Sequence, residues 1–444
     1  MKVKYPLNYP DFPDYKHHLE NVIQYAQLKY EYGAQTEDIQ ALINELSRCL
    51  EITINKIKEL PIDSELAEKE PDDIIKIRSL RNEGPRRLWK SFNKAKYMEK
   101  IYGALYGRFA GCTLGAVVEG WSIEAMKEWA ETIGDSFPPV NYWSKSKDPY
   151  RKRYGVSYGK DYTLSCMNGV PVDDDVTYTI LGLLIAEEFS SEFTIENVGE
   201  AWVKYLPCAC TAEKVALENL KAGIPPHKAA EVNNPYCQWI GASIRADPWG
   251  YMAPGLPEKA AEMAYKDAYI SHRRNGIYGE MFFSAAIAAA FEVDNAIDAL
   301  KIGLTEIPQD CMLANDVRWA LEACKDIRNY KDARDAVQQR FGTQSPVHTN
   351  NNACLTIFGL SIGGDDFTKV ISETVAMGYN NDCTAATAGS IAGVILGRQG
   401  IPDKWYKNFN NIVYTYINGH KIFKIDDLAD RFAEQAEKVH GKFK

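Results

Sequence analysis

The chain has 444 residues, 45% of them hydrophobic and 25% charged, with a net charge of −9. That balance fits a globular protein with a large core, and the negative sign excludes an electrostatic footprint for nucleic acid or an acidic membrane surface. The start, MKVKYPLNYPDFPDY, has no apolar leader and no run of about eighteen apolar residues occurs, so a cytoplasmic location and no membrane partner are expected.

Almost every long segment has helical period, and no series of alternating strands joined by hairpin turns is present, so an all-α fold is expected. Residues 16–60 read as two amphipathic helices broken near Gly33, with Thr36 as N-cap of the second: a helical hairpin. A charged, proline-punctuated stretch from Pro61 to Arg87 follows. Ile74, Ile75, Ile77 and Leu80 interrupt its charges, so it is read as a packed connector.

The segment IYGALYGRFAGCTLGAVVEGW places Gly103, Gly107, Gly111 and Gly115 on one helix face. Each glycine costs about 1 kcal/mol relative to alanine in a helix interior, and close approach of a second helix backbone is the compensating reason. Ala385, Gly389, Gly393 and Gly397 form a matching stripe. Two tightly packed central helices would bring the loops at their ends into one cleft. A helix through Phe283–Phe291, containing SAAIAAAF, is expected in the same core. The ten cysteines are scattered, with Cys208 and Cys210 the one close pair, and read as reduced core thiols.

Two acidic clusters carry the chemistry. VDDDVTYT at 172–179 and GYNNDCTAATAG at 378–389 each stand where a helix is expected to begin. Asp173, Asp174 and Asp175 repel one another by about 1 kcal/mol per close pair in water, and more in a dry cleft. A hard divalent ion with oxygen ligands relieves this most simply. Segment 234–255 is rich in Pro, Gly and aromatics, and is read as an irregular stretch folded over the cleft. Asn275 and Gly276 mark a turn, Asp365 and Asp366 another, and the asparagines after His348 suit a helix start. No Gly-x-Ser-x-Gly elbow, phosphate-binding Gly-Lys-Ser/Thr loop or dinucleotide fingerprint occurs.

The order of these motifs over residues 98–402, a glycine-rich GALYGRFAGCTLGAVVEG, an Asp-Asp pair opening a helix, and a late G-x-x-x-D-x-x-A-A-x-x-G, resembles the ADP-ribosylglycohydrolase family, which includes the dinitrogenase-reductase-activating glycohydrolases. The chain is most similar to a divergent bacterial branch with an N-terminal helical extension. The resemblance implies an N-terminal extension and connector over residues 1–95 and a compact all-α catalytic domain over 96–444. It also implies one or two Mg²⁺ or Mn²⁺ ions and hydrolysis of the bond between C1″ of a ribose and its acceptor. The partner is then an ADP-ribose-like small molecule or an ADP-ribosylated protein, with a monomer expected.

Carried over residue by residue, the family's Thr-Asp-Asp falls on Asp173, Asp174 and Asp175, and its Asp-x-Asp-Thr on Asn380, Asn381, Asp382 and Cys383. Asp173, Asp174, Asp175, Asn380 and Asp382 are the expected metal ligands, with Asp173 and Asp174 also catalytic. Glu119 matches an acidic residue that gates the cleft and assists the attacking water, or is an exposed helix-end glutamate. Trp249 or Tyr251 is read as stacking a nucleobase and Arg245 as meeting a phosphate, although Trp239 and Trp249 also suit a core. His272, Asn275 and His348 complete the expected substrate contacts. Two other functions stay open: a catalytically weak protein that binds an ADP-ribose-like ligand, which neutral Asn380 favours, and a ribosyl or nucleoside hydrolase of the same fold.

Overall fold

The computed structural model describes residues 15–342 and 344–442; the stretch read for a leader, 1–14, lies outside the described residues. The chain divides into two units, Met1–Glu68 and Lys69–Lys444. In the first, α1 (Tyr15–Glu31) and α2 (Thr36–Lys58) are separated at Gly33, whose φ of +88° ends α1. Gln35, rather than Thr36, holds the cap position of α2 and makes no side-chain bond; Glu37 and Asp38 complement the positive end of that helix instead. α3 (Ser64–Lys69) reaches the boundary between the units.

The second unit begins with α4 (Ile74–Leu80), α5 (Lys94–Ala116), α6 (Ile123–Ile133) and the ribbon β1 (Lys152–Arg153)–β2 (Ser157–Tyr158). It continues through α7 (Asp174–Phe189), α8 (Ile195–Tyr205), α9 (Thr211–Lys221), α10 (Asp247–Met252), α11 (Pro257–Ala268), α12 (Asn275–Ala290) and α13 (Ala296–Gly303). α14 (Met312–Ala323), α15 (Tyr330–Phe341), α16 (Thr349–Gly363), α17 (Phe367–Ala376) and α18 (Asn381–Leu396) follow, then the ribbon β3 (Ile412–Tyr414)–β4 (Ile422–Lys424) and α19 (Ile425–Lys442). Among the described residues, paired strands are confined to the two antiparallel ribbons, so the fold is all-α as expected.

Within the second unit, the stretch read as a connector contains α4. Asp73 caps it by accepting from the amides of Ile75 and Lys76, Ile77 is buried, and Arg81 and Arg86 both pair with buried Glu306.

α5 and α18 are the centre of the unit, and the small-residue stripes are the reason. A Cβ on Gly103 would lie 2.1 Å from the carbonyl oxygen of Gly393, one on Gly107 2.0 Å from that of Gly389, and one on Gly111 2.0 Å from that of Ala385. No real side chain fits at such distances, so the α18 backbone touches α5 where α5 carries glycine. α12, whose residues are all buried, packs beside them against α11 and α13, as its alanine-rich run suggests. The cysteines depart from the core reading in part: Cys49, Cys166, Cys208 and Cys210 are exposed.

Candidate metal centre and active site

The two acidic clusters open two helices of the same core. Asp173 is the N-cap of α7, in extended conformation, and its Oδ1 accepts from the amide of Asp175 at 3.2 Å. Asp174 and Asp175 fill the first turn. At the start of α18, Gly378 and Tyr379 both have positive φ and turn the chain into the helix. Asn380 takes the cap position through its carbonyl, which accepts from Thr384 N at 3.0 Å, while its side chain makes no capping bond. The stripe continues to this point: a Cβ on Gly115 would lie 2.4 Å from Cα of Asp382. The glycines therefore set how closely Asp382 approaches the end of α5.

α7 is joined to α5 by a buried guanidinium. Arg108 donates to Oδ1 of Asp175 at 3.1 Å and to the carbonyl of Ile244 at 2.5 Å, and its Nη1 lies 2.7 Å from Asp247. Asp247 in turn accepts from the hydroxyl of Tyr251 at 2.9 Å. Burying an arginine costs several kcal/mol unless it is paired and its donors are used; here Nε and Nη2 bond Asp175, Thr179 and the carbonyls, and Nη1 meets Asp247 as an ion pair without hydrogen-bond geometry. The Oδ2 of fully buried Asp175 is left without a partner.

A second guanidinium, from β1, enters the cluster from the other side. Arg153 donates to Oδ2 of Asp173 at 2.9 Å, to Glu119 at 3.0 Å and to the carbonyl of Ala116 at 3.1 Å, and its Nη2 lies 3.6 Å from Asp382. The ribbon is shaped to deliver it. Tyr154 and Gly155 turn the ribbon with φ of 50° and 72°, a costly conformation for a tyrosine. The Tyr154 ring stacks on Tyr416 with centroids 5.0 Å apart. Arg153 lies over the rings of both Tyr154 and Tyr162, at 5.7 and 5.5 Å. Ser157 accepts from the amide of Val172, tying the ribbon to the residue before Asp173.

The cluster has the electrostatics of a cation site. Burial, then the neighbouring Asp173 and Asp175, hold the Asp174 carboxyl well above its usual range; burial, then Glu119 and Asp173, do the same to Asp382. Burial raises Asp175 to about 7 against the opposing pull of Arg108. Such groups are relieved by a bound divalent ion. Ligand atoms of Asp175, Asp382 and Cys383 lie within 4.8 Å of one another, as do those of Cys112, Asp173 and Asp175. The sulfurs are poor partners for a hard ion, since burial pushes both thiols well up and keeps them protonated. The carboxylates fit one: Asp175 keeps an oxygen without a hydrogen-bond partner and lies within ligand reach of Asp382. Asp174 belongs to neither group and is half-buried.

A cavity of about 310 Å³ adjoins the cluster, lined by Glu119, Trp121, Ser146, Lys147, Arg151, Arg153 and Tyr162, among others. Lys147 lies over the Trp121 ring at 5.4 Å. Glu119 is exposed on this wall. The other wall residues were not read from the sequence, although the run KSKDPYRKRYG, cationic in a chain of net charge −9, was the available signal.

The remaining expected substrate residues stand elsewhere. Within segment 234–255, residues 234–239 keep the irregular backbone expected, but Ile240–Arg245 form a 3₁₀ turn and Asp247–Met252 form α10, largely buried; Pro248 suits the first turn of α10 and Gly250 lets it approach Ile287. Arg245 is 1% exposed and enclosed by Asp267 at 2.6 Å, Glu213 at 2.8 Å and Glu280 at 3.5 Å, so it has no donor to offer a phosphate. Trp249 is 1% exposed and donates to Glu280 at 2.9 Å, the core alternative. Tyr251 is buried between Asp247 and Ser390 and supports Arg108. His272 is buried beside Ser271 at 2.8 Å, and Asn275 bonds Glu70 and Gln238. His348 caps α16, its Nδ1 accepting from Asn350 N at 3.2 Å. Asp366 caps α17. Arg245, Trp249, Tyr251 and Asn275 thus have buried partners of their own, His272 is buried, and His348 is half-buried at a helix cap.

A model of the ADP-ribosylglycohydrolase family matches residues 93–441. Among solved structures, the chain is similar to an "ADP-ribosylglycohydrolase-related protein complex", with TM-score 0.53 and 16% identity, covering 78% of this chain and 99% of that one. That likeness concerns the fold. No curated protein matches the sequence. With a buried acidic cluster at the facing starts of α7 and α18 and a family match across nearly the whole second unit, the chain belongs to the ADP-ribosylglycohydrolase family.

Proposed function

We propose that the protein is a metal-dependent hydrolase that cleaves the bond between C1″ of a ribose and its acceptor in an ADP-ribosylated or related ribosylated substrate. The observation that carries this reading is that Asp175, with one carboxylate oxygen unpartnered, and Asp382 stand within ligand reach of each other at two helix starts, joined to the cavity by Arg153. Asp174, Asp175 and Asp382 hold one Mg²⁺ or Mn²⁺, with Asp173 supporting them as N-cap. When bound, such an ion orients the sugar hydroxyls and polarises water. Arg108 fixes one oxygen of Asp175, so the other is aimed without conformational search. Glu119, on the cavity wall, accepts the proton of the attacking water, and Arg153 orients its carboxylate. Trp121 offers an aromatic side chain and Lys147 and Arg151 cations, a lining suited to an anionic ligand that carries an aromatic ring.

The test is release of ADP-ribose from ADP-ribosylated peptides and small molecules with Mg²⁺ or Mn²⁺ and with chelator. Metal-dependent release that disappears in Asp382→Ala is expected. A second reading, a catalytically weak binder of an ADP-ribose-like ligand, is favoured by Asn380 and Cys383 at positions where the family pattern has Asp and Thr. Ligand binding without release in that assay would select it, and release from a plain nucleoside instead would select a ribosyl hydrolase.

A further inference from the structure

Arg153 stands between the acidic cluster and the cavity: it lines the cavity, yet its guanidinium reaches Asp173 at 2.9 Å and Asp382 at 3.6 Å. An arginine is charged at every accessible pH, so the cluster already contains a fixed cation next to the carboxylate a metal ion needs. Its seat is built, with two aromatic rings, the carbonyl of Ala116, Glu119 and a strained ribbon turn holding it. Oδ2 of Asp175 has no hydrogen-bond partner, and Asp175 also lies within reach of Asp382, so this guanidinium does not satisfy the whole cluster. A divalent ion bound to Asp382 and Asp175 would meet a like charge across Asp382.

From this we infer that Arg153 is a tethered competitor of the metal: it weakens divalent-ion binding in the resting protein, and the ion binds fully only as the guanidinium leaves Asp382 for the cavity side. This rests on the metal site proposed above. It adds a regulatory element within that site, coupling metal occupancy to whatever anion in the cavity draws Arg153 away.

The experiment is calorimetric titration of Mn²⁺ into the full chain and into Arg153→Gln and Arg153→Lys. Affinity is expected to rise on the order of tenfold or more in Arg153→Gln and to stay near the parent's in Arg153→Lys, which keeps the charge. Unchanged or weaker Mn²⁺ binding in folded Arg153→Gln overturns the inference. Should that variant not fold, a crystal structure of the Mn²⁺-saturated parent decides: a guanidinium displaced from Asp382 supports competition, and one still seated beside a bound ion overturns it. Tighter Mn²⁺ binding by Arg153→Gln with no hydrolysis in any variant would leave this inference standing while removing the hydrolase reading. Absence of Mn²⁺ binding in parent and variants would remove both.

Discussion

Gly107 of α5 and Gly389 of α18 touch backbone to backbone: a Cβ on the first would lie 2.0 Å from the carbonyl oxygen of the second, and the reverse distance is 2.2 Å. The contact sets the separation of the two helices that carry the site, and at its far end Gly115 meets Asp382. Gly107→Ala therefore forces the helices apart and is expected to cost about 2–4 kcal/mol in denaturant unfolding. Gly441→Ala, where a Cβ meets nothing within 4 Å, should be neutral or slightly stabilising. Equal effects would mean that the close approach is not a source of stability.

Arg108 is the buried cation on which Asp175 and Asp247 both depend. Arg108→Met leaves two buried carboxylates uncompensated, with an expected loss of about 3–5 kcal/mol. Arg108→Met combined with Asp247→Asn should recover part of it, because one of the stranded charges is gone. Unfolding of Arg108→Met, of Asp247→Asn alone and of the double variant gives the coupling, and strict additivity would contradict the pairing.

His348 caps α16 only while its Nδ1 is unprotonated, and burial pushes its pKa from 6.5 down to about 4. A depressed folded-state value means that the unfolded chain takes up the proton first as the pH falls. The capping contribution is complete above about 6.5 and is lost as the pH falls towards about 4. Between pH 7.5 and 5 the parent should lose on the order of 1–2 kcal/mol more than His348→Asn, which caps without titrating. Parallel pH profiles of the two proteins would show that His348 does not couple.

Asn380 caps α18 through its main chain, leaving the side chain without a capping bond beside Asp382. Asn380→Asp adds a carboxylate at the mouth of the cluster and is expected to tighten Mn²⁺ binding about tenfold, or to add a second ion, by isothermal titration. The helix start should tolerate it, since aspartate suits that position. Unchanged affinity and stoichiometry would place residue 380 away from the ion.

What could be read from the sequence followed local periodicity. The glycine stripes gave the central pair because spacing of four residues is a backbone property, and the acidic clusters gave two helix starts because aspartate suits a cap, as Asp173 does at α7, and the first turn, as Asp382 does at α18. Tertiary partners were not legible in the same way. Arg245, Trp249 and Tyr251 have the chemistry of ligand-binding side chains, but their use is decided by Glu213, Asp267, Glu280 and Asp247, which approach from distant segments. Arg153 was missed for the converse reason: nothing local to a two-residue strand shows that its side chain will reach helix starts about 20 and 230 residues later.

The account depends most on Asp382 as a ligand of a metal that hydrolysis requires. Mn²⁺ titration of the parent and of Asp382→Asn, with ADP-ribose release measured on the same samples, addresses this directly. Asp382→Asn should keep the parent's helical circular dichroism, lose Mn²⁺ binding and lose release, as the parent does in chelator. Release that persists in chelator, or Mn²⁺ binding and turnover at the parent's level in Asp382→Asn, would contradict it.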